Sequence, residues 1–337
     1  MAGPGVVAAA FRPPWWCRNG HLQTIWSSLF RRDRIRSRRE RIATRDGDFV
    51  DLDWVDAARP AGAPLLLVLH GLEGSSRSHY SVGLMRLAAA RGWRALTLNF
   101  RSCSGELNRL PQFYHSGHTD DLDHVVGLLL ERHPDAPLGV VGVSLGGNVL
   151  LKWLGERELD APKQLVGAVA ISAPFDLVPC ARVLDRGLRR RVYTSSFLGP
   201  MRDKVRQKAE RDAGFATRVD LALALRARTF AEYDRAVTAR LHGFADEHDY
   251  WVRASSATYL RRIYRPTLLI SALDDPLVPP DALPDPAKLP PWVRAEFTER
   301  GGHAGFVEGW PWRAGSWAER RGLDFLSEAL AERQGVS

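Results

Sequence analysis

The sequence predicts an α/β fold with a mostly parallel central sheet, helices on both faces, and a helical lid inserted at 175–262. Three observations predict it. Short, continuous apolar runs alternate with helix-like stretches, as in βαβ units whose strands are covered on both faces. One such run, Leu138–Val143, passes directly into Gly142-Val143-Ser144-Leu145-Gly146 and then into a helix-like segment at 147–155. Between the strand-like 166–172 and Thr267–Ala272, strand signals vanish and arginine-rich helical segments such as 219–228 and 230–241 take over. The 337 residues suffice for one large domain, 1–337, with that insertion within it.

Taken in order, 39–45 and 48–55 flank Asp46-Gly47, a dipeptide favoured in tight hairpins, so the sheet is expected to open with an antiparallel pair. Leu65–Leu69 is apolar throughout, as a fully buried strand requires. A helix at 80–91 and a strand at 93–100 follow, then a helix over Asp120–Arg132. Thr119 is read as the N-cap of that helix, with Asp120, Asp121 and Asp123 favoured by the positive end of its dipole. That accounts for the acids near His115, His118 and His124, whose spacing fits no common zinc pattern; no metal and no cofactor is expected. Thr267–Ala272 and Val293–Thr298 complete the sheet.

The chemistry concentrates at the ends of these strands. A serine on a sharp strand-to-helix turn stands clear of the sheet, and small residues two before and two after it avoid collision; Gly142 and Gly146 meet that need around Ser144. A serine hydroxyl needs a base, and elbow hydrolases order their triad as serine, acid, histidine. Downstream, Thr267–Ala272 runs into Asp274-Asp275-Pro276-Leu277-Val278-Pro279, and Val293–Thr298 is followed by Gly301-Gly302-His303-Ala304-Gly305-Phe306. The assigned triad is Ser144, His303 and Asp275, the aspartate chosen for the apolar pair and proline that follow it; Asp274 remains the alternative. His70-Gly71-Leu72-Glu73-Gly74 after the first parallel strand is read as the oxyanion loop, with the backbone N–H groups of Leu72 and Leu145 as donors and His70 as a structural histidine.

Composition excludes several classes. Hydrophobic content of 45% with no bilayer-length run argues for a soluble globular protein, and no basic region precedes the first apolar stretch, so no secretory signal is expected. Three scattered cysteines (Cys17, Cys103, Cys180) point to a reducing compartment, hence a cytoplasmic location. Residues 31–45 hold eight arginines against two acids. They read as a solvated edge strand and its approach, or as a peripheral contact with an anionic membrane; a nucleic-acid partner is not expected. Trp15 and Trp16 could pack or line an acyl entrance.

Several motifs occur together in order: Asn19-Gly20-His21-Leu22-Gln23-Thr24-Ile25, His70-Gly71-Leu72-Glu73-Gly74, Tyr114-His115-Ser116-Gly117, Gly142-Val143-Ser144-Leu145-Gly146-Gly147-Asn148, Asp274-Asp275-Pro276 and Gly301-Gly302-His303-Ala304-Gly305-Phe306. With Thr229-Phe230-Ala231-Glu232-Tyr233-Asp234 and Asp249-Tyr250-Trp251, they resemble the YheT-like family of α/β-hydrolases over about 11–310. The resemblance implies the α/β-hydrolase fold and a carboxylesterase or acylglycerol/phospholipid lipase, with Ser144, Asp275 and His303 at the matching positions. One departure is visible: the family's Arg-Gly-Cys-Ser-Gly is Arg101-Ser102-Cys103-Ser104-Gly105 here, in a loop expected to bear on substrate size. The expected function is a serine hydrolase of short- to medium-chain acyl esters or acylglycerols, acting through an acyl-enzyme. A thioesterase or acyltransferase with the same triad, or a non-catalytic binding protein on the same fold, are the alternatives.

Overall fold

Leu65 to Leu69 alternate between two apolar layers: Leu65, Leu67 and Leu69 face one, Leu66 and Val68 the other. This two-sided burial repeats through the central strands and sets the architecture. The computed structural model describes residues 11–335 apart from 32, 56–58 and 61. Eight strands form one sheet: β1 (Arg38–Ala43), β2 (Phe49–Val55), β3 (Leu65–Leu69), β4 (Arg94–Asn99), β5 (Leu138–Val143), β6 (Leu165–Ile171), β7 (Thr267–Ala272) and β8 (Val293–Thr298). Their spatial order is β1-β2-β4-β3-β5-β6-β7-β8. The β1–β2 and β2–β4 pairings are antiparallel and the other pairings parallel, so the sheet opens with the expected hairpin, turning at Asp46-Gly47, where Gly47 has φ +85°.

Helices cover both faces. Leu122, Val125 and Leu129 of α3 (Asp120–Arg132) and Val149, Leu150 and Trp153 of α4 (Leu145–Arg157) pack on one side. Leu84, Met85 and Ala88 of α2 (His79–Ala90) and Leu323 and Leu326 of α8 (Trp317–Gly335) pack on the other. Before the sheet, α1 (Gly20–Phe30) is capped by Asn19, whose side chain accepts from the amides of His21 (2.9 Å) and Leu22 (3.3 Å).

Between β6 and β7 the chain is helical, with α5 (Leu177–Leu184), α6 (Ser195–Arg211) and α7 (Glu247–Ala254) its longest pieces. It carries an apolar cluster of its own, including Leu198, Val205, Phe215, Tyr233 and Val237. The helix expected at 230–241 runs without a break from Phe230 to His242, its middle turn, Asp234–Thr238, widened to π-helical geometry. The expected cap of α3 is corrected. Thr119 occupies the position in helical geometry, makes no capping bond, and donates its hydroxyl to Glu156 (2.7 Å). The acids after it serve ion pairs: Asp121 accepts two bonds from Arg101 (2.8 and 2.7 Å), and Asp123 pairs with Arg157.

Candidate active site

Ser144 leaves β5 with φ +53° and ψ −123°, a conformation that L-residues rarely adopt, and α4 begins at the next residue. Only glycine fits on either side of this turn. A Cβ at Gly142 would lie 2.4 Å from the Gly146 oxygen, and one at Gly146 would lie 2.4 Å from the Leu69 oxygen. The close approach holds the serine at the sheet's C-terminal edge, beside the positive end of α4.

The loops after β7 and β8 reach the same edge. Ser144 Oγ lies 2.8 Å from His303 Nε2, and His303 Nδ1 lies 3.1 and 2.9 Å from the two Asp275 oxygens. The carboxylate beside Nδ1 holds the ring proton there, which leaves Nε2 free to accept from the serine hydroxyl. Asp275 is 4% exposed, and its Oδ1 also accepts from the amides of Leu277 (2.8 Å) and Val278 (3.1 Å). Its neighbour Asp274 turns away to accept from the Gly302 amide (2.9 Å). Burial pushes the Asp274 carboxyl up, against the pull of the Gly302 and Gly301 amides.

The loop after β3 abuts the serine: a Cβ at Gly71 would lie 3.1 Å from Ser144 Cβ. The Gly71 amide donates to the Tyr80 hydroxyl (2.9 Å) and the Glu73 amide to the Tyr114 hydroxyl (2.7 Å). The Leu72 amide between them, like that of Leu145 at the start of α4, donates to no partner among the described residues. Leu72 and Leu145 both border the cavity above Ser144. His70 is buried. Its ring bonds the Gly71 carbonyl through Nδ1 (2.7 Å) and accepts the Phe100 amide at Nε2 (3.1 Å); burial lowers it to about 4, a neutral backbone clamp.

Empty space of about 790 Å³, part of it open to solvent, lies between this edge and the helical insertion. Ser144 and His303 border it, and Leu177, Leu184, Phe197, Met201 and Phe230 make most of its wall apolar. Asp234 also borders it; burial raises its carboxyl to about 7, while Thr238 and Trp251 donate to its oxygens (2.7 and 2.8 Å). Trp15 and Trp16 do not line the cavity: Trp15 is exposed, and Trp16 donates to the Gly309 carbonyl (3.1 Å).

Sequence reasoning missed the supports. The motif at Asn19–Thr24 had no physical role assigned to it; α1 proves to be the bed of the histidine loop. Thr24 Oγ1 accepts from the His303 amide (2.8 Å), and Gln23 bridges the Cys17 carbonyl and the Val307 amide (both 2.6 Å). A Cβ at Gly20 would lie 2.2 Å from the Asp274 oxygen. Ser172 accepts from the Ala304 amide (3.0 Å). Asn148, in the elbow motif, ties the Ser116 and Ala254 carbonyls (2.8 and 2.7 Å) and the Ser256 amide (2.9 Å) to α4. Ser102, the departure from the family pattern, has φ +64°, where glycine is at ease; its hydroxyl bonds both the side chain (2.6 Å) and amide (3.0 Å) of Asn108 and does not border the cavity.

The basic stretch 31–45 is largely committed within the chain. Arg31 pairs with Glu319, Arg39 with Asp53, Arg41 with Asp51 and Glu106, and Arg45 with Asp123, while Arg32 lies outside the described residues. It therefore offers less free charge to an anionic surface than its composition implies. Among the described residues no helix is long and apolar enough to cross a membrane.

Compared with known proteins, residues 64–309 match the model of a family described as alpha/beta hydrolase fold. A protein of Escherichia coli (strain K12) named "Putative esterase YheT" is 39% identical over 325 residues, spanning 96% of this chain and 94% of its own. Phospholipase ABHD3 of Mus musculus is 30% identical over 315 residues, 91% of this chain and 75% of that one. Among solved structures, esterase Pf2001 of Pyrococcus furiosus is similar with a TM-score of 0.54 at 17% identity, covering 87% of this chain and 92% of that one, a likeness that speaks for the fold alone.

Proposed function

Because the chain belongs to the α/β-hydrolase family, in its YheT-like branch, and is an esterase- or lipase-type hydrolase, we propose that it cleaves carboxylic esters through a Ser144–His303–Asp275 triad and an acyl-enzyme. The observation that carries the reading is the unbroken chain of hydrogen bonds from Ser144 Oγ to His303 Nε2 (2.8 Å) and from His303 Nδ1 to Asp275 (2.9 Å).

Ser144 Oγ attacks the acyl carbon as its proton passes to His303 Nε2. The imidazolium so formed faces the Asp275 carboxylate, which orients and stabilises it. Negative charge gathers on the former carbonyl oxygen, and the Leu72 and Leu145 amides receive it; one such donor is worth about 3 kcal/mol of barrier. His303 returns the proton to the departing alcohol. Water then enters, gives a proton to His303 and attacks the acyl-serine; His303 returns that proton to Ser144 Oγ as the acyl–oxygen bond breaks and the acid leaves.

The apolar wall supports an acyl chain of short to medium length, or an acylglycerol, as the occupant. The helical insertion at 175–262 would act as a lid, since it forms the wall opposite the sheet edge and keeps water from the site. The phospholipase name of one relative fits a lipid ester.

The test is direct. The wild-type chain should hydrolyse p-nitrophenyl acetate, butyrate and octanoate and react with a fluorophosphonate probe. Ser144→Ala should lose the labelling and at least about 10³-fold in kcat. Undiminished turnover by the pure variant would refute the assignment.

A further inference from the structure

Glu73 sits immediately after the amide of Leu72 and has φ +55°. A non-glycine residue in that region is strained and stays there only if its surroundings hold it. Part of the hold is local: its amide donates to the Tyr114 hydroxyl, which in turn donates to Glu73 Oε1 (3.1 Å). The rest comes from the helical insertion. Lys204, on α6, donates from Nζ to Glu73 Oε1 at 2.9 Å, lies 2.8 Å from Oε2, and approaches Cys103 Sγ at 3.5 Å. The side chains of Lys204 and Glu73 are only 17% and 10% exposed. Burial alone would lower the lysine; Cys103 and the Glu73 carboxylate outweigh it and hold the ammonium up. None of these contacts lies in the triad, and both charged groups sit outside the wall of the cavity above Ser144.

We propose that Lys204 is a positioning residue, which carries the docking of the helical insertion into the oxyanion loop by holding Glu73 and so aiming the Leu72 N–H. This rests on the reading of Leu72 as an oxyanion donor and deepens it. The insertion then does more than cover the site: an open insertion takes Lys204 away, leaves a carboxylate unpaired in a half-buried turn, and lets the strained residue relax. The donor is complete only when the insertion is seated, so acyl transfer is coupled to closure.

The position of the pair decides the kinetic signature. A donor aimed at the developing oxyanion acts in the transition state and not on the bound ester, so its loss lowers kcat and leaves KM in place. Lys204→Met is expected to lower kcat for p-nitrophenyl butyrate by about 10- to 100-fold, within the range for one oxyanion donor, with KM changed less than about threefold. Its second-order rate with a fluorophosphonate, whose pentacoordinate transition state also gathers charge on the phosphoryl oxygen as fluoride leaves, should fall by a similar factor. Lys204→Arg, which keeps a cation on Glu73, should recover most of the rate. The double variant Glu73→Gln/Lys204→Met, which removes the unpaired charge, should be faster than Lys204→Met alone. Circular dichroism and melting temperature separate these effects from misfolding, and the arginine variant supplies the folded control.

A Lys204→Met enzyme with wild-type kcat, or one whose loss lies wholly in KM, would overturn the coupling. In that event a wild-type chain active on esters and silenced by Ser144→Ala would leave the proposed function standing. A wild type inactive on all the esters would instead strike the function itself.

Discussion

Two adjacent aspartates compete for the acid role, and their surroundings predict opposite results when each is replaced by asparagine. In Asp275→Asn the amide oxygen would stay with the Leu277 and Val278 amides, 2.8 and 3.1 Å away in the native chain. Its NH2 would then face His303 Nδ1. Two donors cannot share that bond, so the ring proton moves to Nε2, where it blocks acceptance from Ser144 Oγ. The imidazolium of the transition state also loses its counter-charge. Unit charges about 4 Å apart at an effective dielectric of about 20 interact by about 4 kcal/mol, which is a factor of about 10³ in rate. With the inverted tautomer added, kcat should fall about 10³- to 10⁴-fold. Among the described residues Asp274 accepts only from backbone amides, as at Gly302 (2.9 Å), and an asparagine oxygen can do the same. Asp274→Asn should therefore stay within about fivefold of wild type, the loss of one charge-assisted bond. The assay is steady-state p-nitrophenyl butyrate hydrolysis by both purified variants, with fluorophosphonate labelling as a count of competent serines. The reasoning fails if Asp275→Asn keeps a tenth of the activity, or if Asp274→Asn is the more damaged.

Two further outcomes can be checked. Ser102→Ala keeps the strained φ of +64° and loses both bonds to Asn108, whereas Ser102→Gly loses the bonds and removes the strain. Alanine should be the less stable by about 1 kcal/mol in urea unfolding, and equal stabilities would refute the account. The second concerns pH. Burial lowers His70 and His242 to about 4 and His79 to about 3, and holds His115 well below its usual value. The unfolded chain binds protons at these sites near pH 6.5 and the folded chain does not, so their contribution is whole above about pH 6.5 and drains as the pH falls towards about 4. Asp234, raised to about 7 by burial, acts in the opposite sense, as do the less displaced carboxyls of Asp185, Asp274 and Glu319; against them stand the four imidazoles. The melting temperature should fall steadily from pH 7 to pH 5; a rise would show that these histidines are not buried and neutral.

What could be read along the chain was whatever one residue and its near neighbours determine. Leu65–Leu69 declares a strand covered on both sides because every position is apolar. Gly142 and Gly146 declare the elbow because any side chain there would meet backbone. The preference for Asp275 rested on the residues that follow it. Errors arose where distant groups outbid local propensity. Thr119 looked like a cap, yet Glu156 takes its hydroxyl. The arginines of 31–45 do lie on and before the exposed edge strand β1, as expected, but four of them also find carboxylates, as far along the chain as Glu319.

By itself, the sequence determined the order of strands and helices, the strained turn at Ser144, and the residue types that can carry acyl chemistry. Local sterics and period-two burial set these, and both are written in consecutive residues. Only the tertiary structure decided which aspartate meets His303, that Thr24 of the first helix carries the histidine loop, and that Lys204 reaches Glu73 from the insertion. Hydrogen bonds and ion pairs act over about 3 Å in space. The partners here lie 28, 279 and 131 positions apart, so only the path of the folded chain brings them together.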